Sequence, residues 1–357
     1  MEFCSLVWDS KTLTIPPRMG QPNKDQLAGS DLDNLVELAG RVCYDSLGGK
    51  RSRPSDSYHA HIIQVGHGSV WEHANLTFQT SPISLEMRGR IALACANRPG
   101  LFLRAGNDAQ TRPLRLTANL RTIREWFDWP TPCQVGTDLG SQLQTLAIDK
   151  APLVCQQLSP PAVQHDFGLE LVAPETDDEI WISLHIADVS RGFSHELVRH
   201  GDWTAISQRS TRFVNEAKSP WCWHPLQEKF LYGDGELTAQ IEQVQEAARL
   251  AYDDVVGKIQ RGLEQEGVDA FTARKQARGA ARGLLGNALE TQLIFSANLA
   301  QWKRMILMRA SAAADAEIRR VFDEVYALLK KLYPNRMAGF ATRSCPDKIG
   351  QEVYKAS

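Results

Sequence analysis

VSRGFSHELVRHGDWTAISQRSTRFV, residues 189–214, concentrates cationic, hydroxyl and amide side chains in one short run. The side chains in it that suit binding are Arg199, His200, Ser207, Gln208, Ser210 and Arg212. A guanidinium holds a phosphate through two parallel hydrogen bonds, and hydroxyl and amide groups add neutral hydrogen bonds around it. The run therefore favours a binding surface for a phosphorylated small molecule. An amphipathic helix followed by a polar, solvated loop is the alternative that composition leaves open.

One further block lies upstream of this run, in two stretches, and another lies downstream. Upstream stand ELAGRVCYDS (37–46) and HIIQVGHGSVWEHANLTF (61–78), and downstream stands ARGLLGNALETQLIFSANLAQWKRMILMRASAAADAEIRR (281–320). In this order the blocks resemble those of the flavin-dependent thymidylate synthases, which carry Arg-His-Arg, a short spacer and then Ser-x-Arg-Tyr. On these blocks the chain is identified as a divergent member of that family with a long insertion.

The resemblance implies an α+β fold that is rich in helices and has a small mixed or antiparallel sheet. In the family, the strand at 75–80 would lead almost directly into the Val-Ser-Arg helix, whereas residues 84–180 intervene here. We therefore expect a discontinuous core of residues 1–83 plus 181–345, an inserted subdomain at 84–180 and a C-terminal tail at 346–357.

Hydrophobic periodicity places the main helices. Apolar residues at helical spacing predict helices at 31–46, 56–66, 236–265, 270–285, 299–309 and 314–332. The apolar face of the long helix at 236–265 consists of Leu237, Ile241, Val244, Ala247, Leu250, Ala251, Val255 and Ile259. Alternating side chains predict a strand at 75–80, LIFSA (293–297) is strand-like, and WISLHIADVS (181–190) resumes the core.

Composition limits the class of protein. A hydrophobic content of 43% and a charged content of 23% are typical of a globular protein, and a net charge of -2 gives no overall attraction for nucleic acid. No apolar run reaches the length of a membrane-spanning helix, and the N-terminus is unlike a secretion signal. The 7 cysteines are dispersed without a CxxC pair, which favours reduced thiols over disulfides or a metal site. We expect a cytoplasmic protein.

The resemblance also implies a reaction. The family makes dTMP from dUMP: methylenetetrahydrofolate supplies the carbon, and FAD reduced by NADPH supplies the hydride. The protein would then place a flavin, a pyrimidine nucleoside monophosphate and a folate in one site, while the cofactor carries the redox chemistry. In the family the active sites are shared between the subunits of a homotetramer, so the resemblance implies an oligomer.

Several residues match the nucleotide-binding positions of the family. Arg309 matches the arginine that activates the pyrimidine by stabilising negative charge on the ring, a role that suits a fixed guanidinium. The other matches are Glu196, Arg199, Gln208, Ser210, Arg212 and Arg282. As alternatives, Arg309 pairs with Glu317, and Glu196 forms a surface ion pair with Arg199, three residues along a helix.

Another set matches the flavin-binding positions: His73, Asn75, Arg199, His200, Gln208, Asn298 and Arg304. The amide of Asn298 follows an apolar strand and starts a helix, so it can cap that helix and reach a ligand. We expect His73 to face the ligands, although a lone histidine is more often structural. His67 is expected to organise the junction between helix and strand.

The chain departs from the family pattern at three positions. Gly201 replaces the second arginine of Arg-His-Arg, Ala300 replaces an arginine two residues after Asn298, and Phe213 replaces the tyrosine that ends the signature. A charge-assisted hydrogen bond contributes roughly 1.5–3 kcal/mol. Two missing cations without replacement would therefore weaken flavin binding by several orders of magnitude. Arg304, Lys303 or a cation from the insertion are the candidates for compensation.

A partial echo connects the insertion to the core. GNDAQTRPLRLTANLRTIREW (106–126) shares Gly-Asn, a threonine and Ala-Asn-Leu ahead of a Trp with GNALETQLIFSANLAQW (286–302). Chance similarity between two turns from strand to helix is the simpler explanation. The echo nevertheless motivates the hypothesis that the insertion covers the flavin site and supplies Arg121 or Arg124.

Two rival functions stay open. An enzyme of the same fold would methylate or hydroxymethylate another pyrimidine nucleotide, such as UMP or CMP. A protein that binds flavin or nucleotide without turnover would have lost catalysis through the changes at Gly201 and Ala300.

Overall fold

A computed structural model describes residues 2–49, 53–96, 98–105, 113–130, 133–201 and 203–356. The α-helices are α1 (Asp31–Tyr44), α2 (Ser55–Gln64), α3 (Leu85–Cys95), α4 (Leu120–Arg124), α5 (Gln134–Lys150), α6 (Arg191–Leu197), α7 (Pro225–Leu231), α8 (Gly235–Gln265), α9 (Ala270–Ala281), α10 (Leu299–Arg309) and α11 (Ala316–Leu332). The strands are β1 (Cys4–Trp8), β2 (Asn75–Gln79), β3 (Leu101–Ala105), β4 (Leu114–Asn119), β5 (Glu170–Leu171), β6 (Trp181–Ser190), β7 (Thr204–Gln208), β8 (Glu290–Asn298), β9 (Phe340–Ser344) and β10 (Gln351–Lys355).

The fold is α+β and rich in helices, which confirms the expected class. One four-stranded sheet has the order β1-β6-β8-β7, and a second four-stranded sheet has the order β5-β2-β4-β3. β9 and β10 form a hairpin of their own. The strand pairs in the described residues are antiparallel, so the sheets are antiparallel rather than mixed.

Local sequence explains where α1 begins and ends. Ser30 Oγ accepts the backbone N–H of Asp33, while the Asp33 carboxylate accepts the backbone N–H of Ser30, which is a reciprocal capping box. The helix ends before Asp45, whose φ of 48° is left-handed. The predicted helix at 31–46 is therefore confirmed and is two residues shorter at its C-terminus.

The other helices follow the predicted periodicity closely. The helix predicted at 56–66 is α2, and the one at 314–332 is α11, which ends ahead of Pro334. The helix predicted at 270–285 is shorter, because Arg282–Leu284 forms a tighter 3-10 turn directly after α9.

Two large hydrophobic clusters, and a small third one around Tyr252, stabilise the fold. The first joins α1, α2 and β2 to helices and strands of the 84–180 segment, with Leu35, Phe78 and Trp126 fully buried. The second lies between the β1-β6-β8-β7 sheet and the helices α10 and α11, where Trp302 packs against Phe295. Each cluster buries large apolar side chains completely, which is the main stabilising contribution to such a fold.

These clusters divide the chain differently from the predicted domains. Residues of the 1–83 block pack mainly with residues of 84–180, and β2 shares its sheet with β3, β4 and β5 from that segment. In the 346–357 tail, β10 pairs with β9, and Val353 is buried in the second cluster. The division into a discontinuous core, an inserted subdomain and a tail stays a prediction.

α8 is a single long helix with an uncovered apolar face. Only Tyr252 is buried among its described residues, whereas Val244 is 65% and Leu237 is 40% exposed. The apolar face predicted for this helix is therefore only partly buried within one chain. None of the helices in the described ranges is long and apolar enough to cross a membrane.

Candidate functional site

Arg309 is held by two polar partners at the C-terminal end of α10. Its Nε donates to His200 Nε2 at 2.7 Å, its Nη1 donates to Glu196 Oε2 at 3.0 Å, and its Nη2 donates to the Glu196 carbonyl oxygen at 3.2 Å. The alternative pairing with Glu317 is not found, because Glu317 accepts both the backbone N–H and the hydroxyl of Ser190. The site therefore combines a fixed guanidinium, a carboxylate and an imidazole.

His200 is neutral in this arrangement. Burial lowers its pKa, and the nearby charges of Arg309, Arg304 and Arg199 lower it further. Because Nε2 accepts a hydrogen bond from Arg309, the ring proton belongs on Nδ1. Arg199 and Arg304 are both exposed beside this histidine. Three of the predicted flavin-binding residues thus lie around one point.

Glu196 and Arg199 do not share a helical face as expected. α6 ends at Leu197, and Arg199 lies in the turn that follows. The ion pair of Glu196 is made with Arg309 instead. Burial raises the pKa of the Glu196 carboxyl, and the negative charge of Asp315 adds to that shift, while Arg309 opposes it.

Gln208 ends β7 and points toward α6. Its Nε2 donates to Ser194 Oγ at 2.9 Å and to Thr291 Oγ1 at 3.2 Å. These two hydroxyls fix the orientation of the amide between β8 and the helix that carries Glu196. Gln208 is therefore positioned between α6 and β8, and its amino group is already used within the chain.

Arg212 and Arg282 both lie near the C-terminal end of α9. The Arg212 side chain runs along α9, where a Cβ built on Gly279 would lie 3.7 Å from its Cγ. Arg282 directly follows α9, and both arginines are exposed. Ser210 Oγ accepts the backbone N–H of Arg212 at 3.3 Å, which shapes the turn that presents this arginine.

Arg191 lies close to Arg282 and Arg209, and the sequence patterns did not identify it as a site residue. Burial lowers the pKa of its guanidinium, and the charges of Arg282 and Arg209 lower it further. Its Nη1 donates to the Arg209 carbonyl oxygen at 3.5 Å. The signal for Arg191 was present in the sequence, because it directly follows Ser190, the residue that caps α6.

The two groups do not share a described cavity. A cavity of about 280 Å³ is lined by Glu196, Gly192 and Asn287, but by none of Arg212, Arg282 and Arg309. A single chain therefore brings Arg309 together with Glu196 and His200, and it places both Arg212 and Arg282 near the C-terminal end of α9.

His73 takes a position unlike the expected one. The ring is fully buried, with Nδ1 2.7 Å from Ser296 Oγ and Nε2 2.9 Å from Ser207 Oγ. Burial lowers its pKa to about 3. Both nitrogens are engaged between β7 and β8, so the geometry favours a structural role over contact with a ligand. His67 lies 3.2 Å from the Tyr44 hydroxyl through Nδ1, at the junction where it was expected.

The two predicted asparagines act on the backbone. Asn298 Oδ1 accepts the backbone N–H of Gln301 at 2.8 Å and caps α10, as expected. Asn75 Nδ2 donates to the Glu72 carbonyl oxygen at 3.2 Å, and its Oδ1 is buried without a partner among the described residues. Asn75 lines a cavity of about 440 Å³ that also contains Trp181.

A larger cavity of about 750 Å³ lies beside Gly201. We call it the seam cavity; it is lined by Glu72, Arg98, Pro99, Gly100, Asn119, Arg121, Thr122, Glu125, Trp129, Trp181, Gly201, Trp203 and Thr204. Its size falls in the range usual for small-molecule sites. Most of its lining comes from the 84–180 segment, and the rest comes from Glu72, β6, β7 and the residues just ahead of β7.

The cations suggested as replacements for the missing arginines differ in their surroundings. Arg121 lines the seam cavity, where it pairs with Glu72 and Glu125. Arg124 instead donates to the carbonyl oxygens of Val154 and Gln156, so its charge is used inside the fold. Lys303, on α10, pairs with Asp177 at 2.5 Å.

The cysteines are free, and burial raises the thiol pKa of Cys4, Cys95, Cys155 and Cys222 to about 12. A thiol with such a pKa is a poor nucleophile near neutral pH. These four side chains are therefore unsuited to covalent catalysis.

Comparison with known proteins places the chain in a family. The model of the family described as thymidylate synthase complementing protein matches residues 27–89 and 179–335. Flavin-dependent thymidylate synthase from Mycobacterium tuberculosis (strain ATCC 25618 / H37Rv) is 36% identical over 172 residues, which are 48% of this chain and 66% of the relative. The protein of the same name from Mycobacteroides abscessus is 37% identical over 171 residues, 48% of this chain and 65% of the relative. This chain belongs to the thymidylate synthase complementing protein family.

Proposed function

We propose that this chain is a flavin-dependent thymidylate synthase, which methylates dUMP at C5 to dTMP with methylenetetrahydrofolate and NADPH. The observation that carries the proposal is the arrangement of Arg309, held by Glu196 and by neutral His200. All three lie inside the part of the chain that matches the family. The matched relatives are covered over 66% of their length, so their activity supports this proposal rather than replacing its test.

Arg309 would stabilise negative charge on the pyrimidine ring. A guanidinium that is already oriented by two partners needs no reorganisation when charge develops, which is the basis of electrostatic preorganisation. Glu196 and His200 fix its plane, and the Nδ1–H tautomer of His200 leaves a donor on the far side of the ring. We assign Arg309 the catalytic role and the other two the role of positioning residues.

Arg212 and Arg282 would bind the nucleotide phosphate, with Ser210 beside them. Two exposed arginines near the C-terminal end of one helix suit the bidentate recognition of a phosphate. Arg191 adds a third positive charge to this group. Because the group does not share a described cavity with Arg309, we propose that a complete site forms between subunits of a homotetramer. The uncovered apolar face of α8 supports this assembly.

FAD, when bound, would supply the hydride chemistry, after reduction by NADPH. The described residues fit such a group: Arg199 and Arg304 form a cationic region around neutral His200, the Asn75 Oδ1 is buried without a partner in the described residues, and Gly201 leaves open space next to the seam cavity. These residues would bind and orient the flavin beside Arg309. Asn298 would fix the start of the helix that presents Arg304.

Release of tritium from [5-³H]dUMP, with methylenetetrahydrofolate, FAD and NADPH present, tests the proposal. The same assay with [5-³H]UMP and [5-³H]CMP distinguishes thymidylate synthesis from the rival reactions on other pyrimidine nucleotides. Bleaching of the flavin absorbance by NADPH distinguishes an enzyme from a protein that only binds. Release from dUMP alone supports the assignment, and release from UMP or CMP alone, or from none, contradicts it.

A further inference from the structure

The two four-stranded sheets have the same topology. In one, β6 is followed by α6, β7, β8 and α10; in the other, β2 is followed by α3, β3, β4 and α4. Both sheets place the first of these strands next to the third and the second at the edge, in the orders β1-β6-β8-β7 and β5-β2-β4-β3. The segment from β2 to α4 is therefore a shortened structural repeat of the segment from β6 to α10.

Strand register makes the correspondence specific. β6 begins at Trp181, opposite Asn298, and β2 begins at Asn75, opposite Asn119. Asn298 and Asn119 each cap the helix that follows, because the side-chain oxygen of each accepts a backbone N–H at 2.8 Å. At the edges of the sheets, Thr204 of β7 pairs with Ala297 and Leu101 of β3 pairs with Ala118, the residues directly before the two caps.

Further contacts repeat at matching positions. Leu299 N–H donates to the Ile180 carbonyl oxygen at 2.8 Å, and Leu120 N–H donates to the Ala74 carbonyl oxygen at 2.9 Å. Ser190 caps α6 nine residues after the start of β6, and Ser84 caps α3 nine residues after the start of β2. The similarity between the two turns is therefore structural. Residues 106–112 of the sequence echo lie outside the described residues.

In this register, each position that lacks the arginine of the family pattern corresponds to an arginine in the repeat. Ala300 stands two residues after Asn298, and Arg121 stands two residues after Asn119. Gly201 stands three residues before Thr204, and Arg98 stands three residues before Leu101. Arg98, Arg121 and Gly201 all line the seam cavity. The positions that lack a cation in one copy thus carry one in the other copy.

Two residues that line the seam cavity each carry a buried donor without an acceptor in the described residues: Arg98 at Nη2 and Trp181 at Nε1. The rest of the Arg98 guanidinium is fixed, because it donates to the carbonyl oxygens of Ala94 and Trp126 and stacks 3.7 Å from the centre of the Trp126 ring. A buried donor without a partner is unfavourable. A ligand in the seam cavity that brings acceptor oxygens would offer partners to these two donors.

Aromatic and acidic side chains complete the lining. Trp129 is 42% and Trp203 is 41% exposed, so an aromatic ring that stacks on them would bury apolar surface. Glu72 and Glu125 accept from Nη1 and Nε of Arg121, and their carboxylates are acceptors for hydroxyl groups of a sugar. Phosphate oxygens, a ribose and an aromatic base together match this set of donors, carboxylates and rings.

We propose that the seam cavity binds the adenosine diphosphate half of FAD, with Arg98 and Arg121 in the roles that Gly201 and Ala300 have lost. The inference rests on the proposed function, since it assumes that FAD is the cofactor. Arg98 and Trp181 donate to the diphosphate, Arg121 adds charge, and the tryptophans stack on the adenine. The repeat thus provides, within one chain, the second wall of the cofactor site.

Equilibrium binding of FAD and of FMN, followed by flavin fluorescence, tests this proposal, because FMN lacks the adenylate half. The variants are Arg98→Gln, Arg121→Gln and Trp181→Phe, which removes only the indole N–H. Arg90→Gln is the matched control, since Arg90 lies on α3 of the same repeat in an exposed ion pair with Glu86. We expect the Kd for FAD to rise about 10-fold to 100-fold for each arginine variant. For Trp181→Phe we expect a rise of about fivefold.

The Kd for FMN should not change in any folded variant, and the Arg90→Gln protein should bind both flavins like the wild type. Unchanged FAD affinity in folded Arg121→Gln and Trp181→Phe proteins overturns the seam-cavity proposal even if Arg98→Gln fails to fold. An equal loss for FAD and FMN also overturns it. If the wild type binds neither flavin, the proposed function itself falls, so the two failures are distinguishable.

Discussion

Nε of Arg309 lies 2.7 Å from Nε2 of His200, and the two residues are 109 positions apart in the sequence. The bond joins the last residue of α10 to the turn after α6, so the orientation of the guanidinium depends on both elements. Glu196 holds the other edge of the same guanidinium. A side chain fixed in this way is suited to stabilise charge at one position rather than to screen charge in general.

Replacement of Arg309 by lysine should reduce turnover much more than nucleotide binding. Lysine keeps the charge but cannot make both contacts, so the cation loses its fixed position. We expect the rate of tritium release from [5-³H]dUMP to fall by about 10²-fold to 10³-fold. The Kd for dUMP should change much less.

Arg343→Lys is the control, because Arg343 lies on the exposed β9–β10 hairpin. A catalytic role for Arg309 is refuted if Arg309→Lys turns over dUMP at the wild-type rate.

His73 should make the protein sensitive to acid. Burial lowers its pKa to about 3, from an ordinary value near 6.5. Between these values the unfolded state binds the proton more strongly, so stability is complete above about pH 6.5 and falls as the pH drops. The expected loss from this residue is roughly 2 kcal/mol between pH 7 and pH 5.

Urea unfolding at the two pH values measures this loss. In His73→Gln, the difference in the free energy of unfolding between pH 7 and pH 5 should shrink by that amount. An unchanged difference would show that the pKa of His73 is the same in the folded and unfolded states.

Much of the local structure was predictable from the sequence. The apolar spacing of α1 and the serine ahead of it sufficed to place that helix, and the Asn298 cap was evident from an apolar strand followed by a helical pattern. Motif matches also identified Arg309, His200 and Glu196, which the structure brings together. These features depend on neighbouring residues or on the order of the sequence blocks along the chain.

Long-range pairing was not predictable in the same way. The burial of His73 depends on Ser207 and Ser296, which are 134 and 223 residues away. The equivalence of Arg121 and Ala300 depends on the register of two sheets, which the echo in the sequence suggested only in part. Arg98 lacked even that signal, since its position follows from the pairing of β3 with β4.

Gly140→Ala should destabilise the wall behind the seam cavity. A Cβ at Gly140 in α5 would lie 2.1 Å from Cδ1 of Trp126, a buried ring on which Arg98 stacks. Overpacking of this kind costs about 1–3 kcal/mol, more than the gain of up to ~1 kcal/mol from replacing glycine within a helix.

Gly89→Ala in α3 is the matched control, because a Cβ there meets no atom within 4 Å. It should leave stability unchanged or raise it by up to ~1 kcal/mol. Thermal unfolding of both variants measures the difference. Equal stabilities would show that α5 shifts freely away from Trp126.

The exposed face of α8 should hold the oligomer together. Leu237 and Val244 are seven residues apart and therefore lie on one side of the helix, where they are 40% and 65% exposed. A charge placed there is costly to bury in an interface. The double variant Leu237→Glu, Val244→Glu should therefore form a smaller species than a tetramer, as measured by light scattering. Glu264→Lys, near the exposed C-terminal end of the same helix, should not change the mass. A wild-type protein that is monomeric at micromolar concentration, or a double variant of unchanged mass, would contradict assembly through α8.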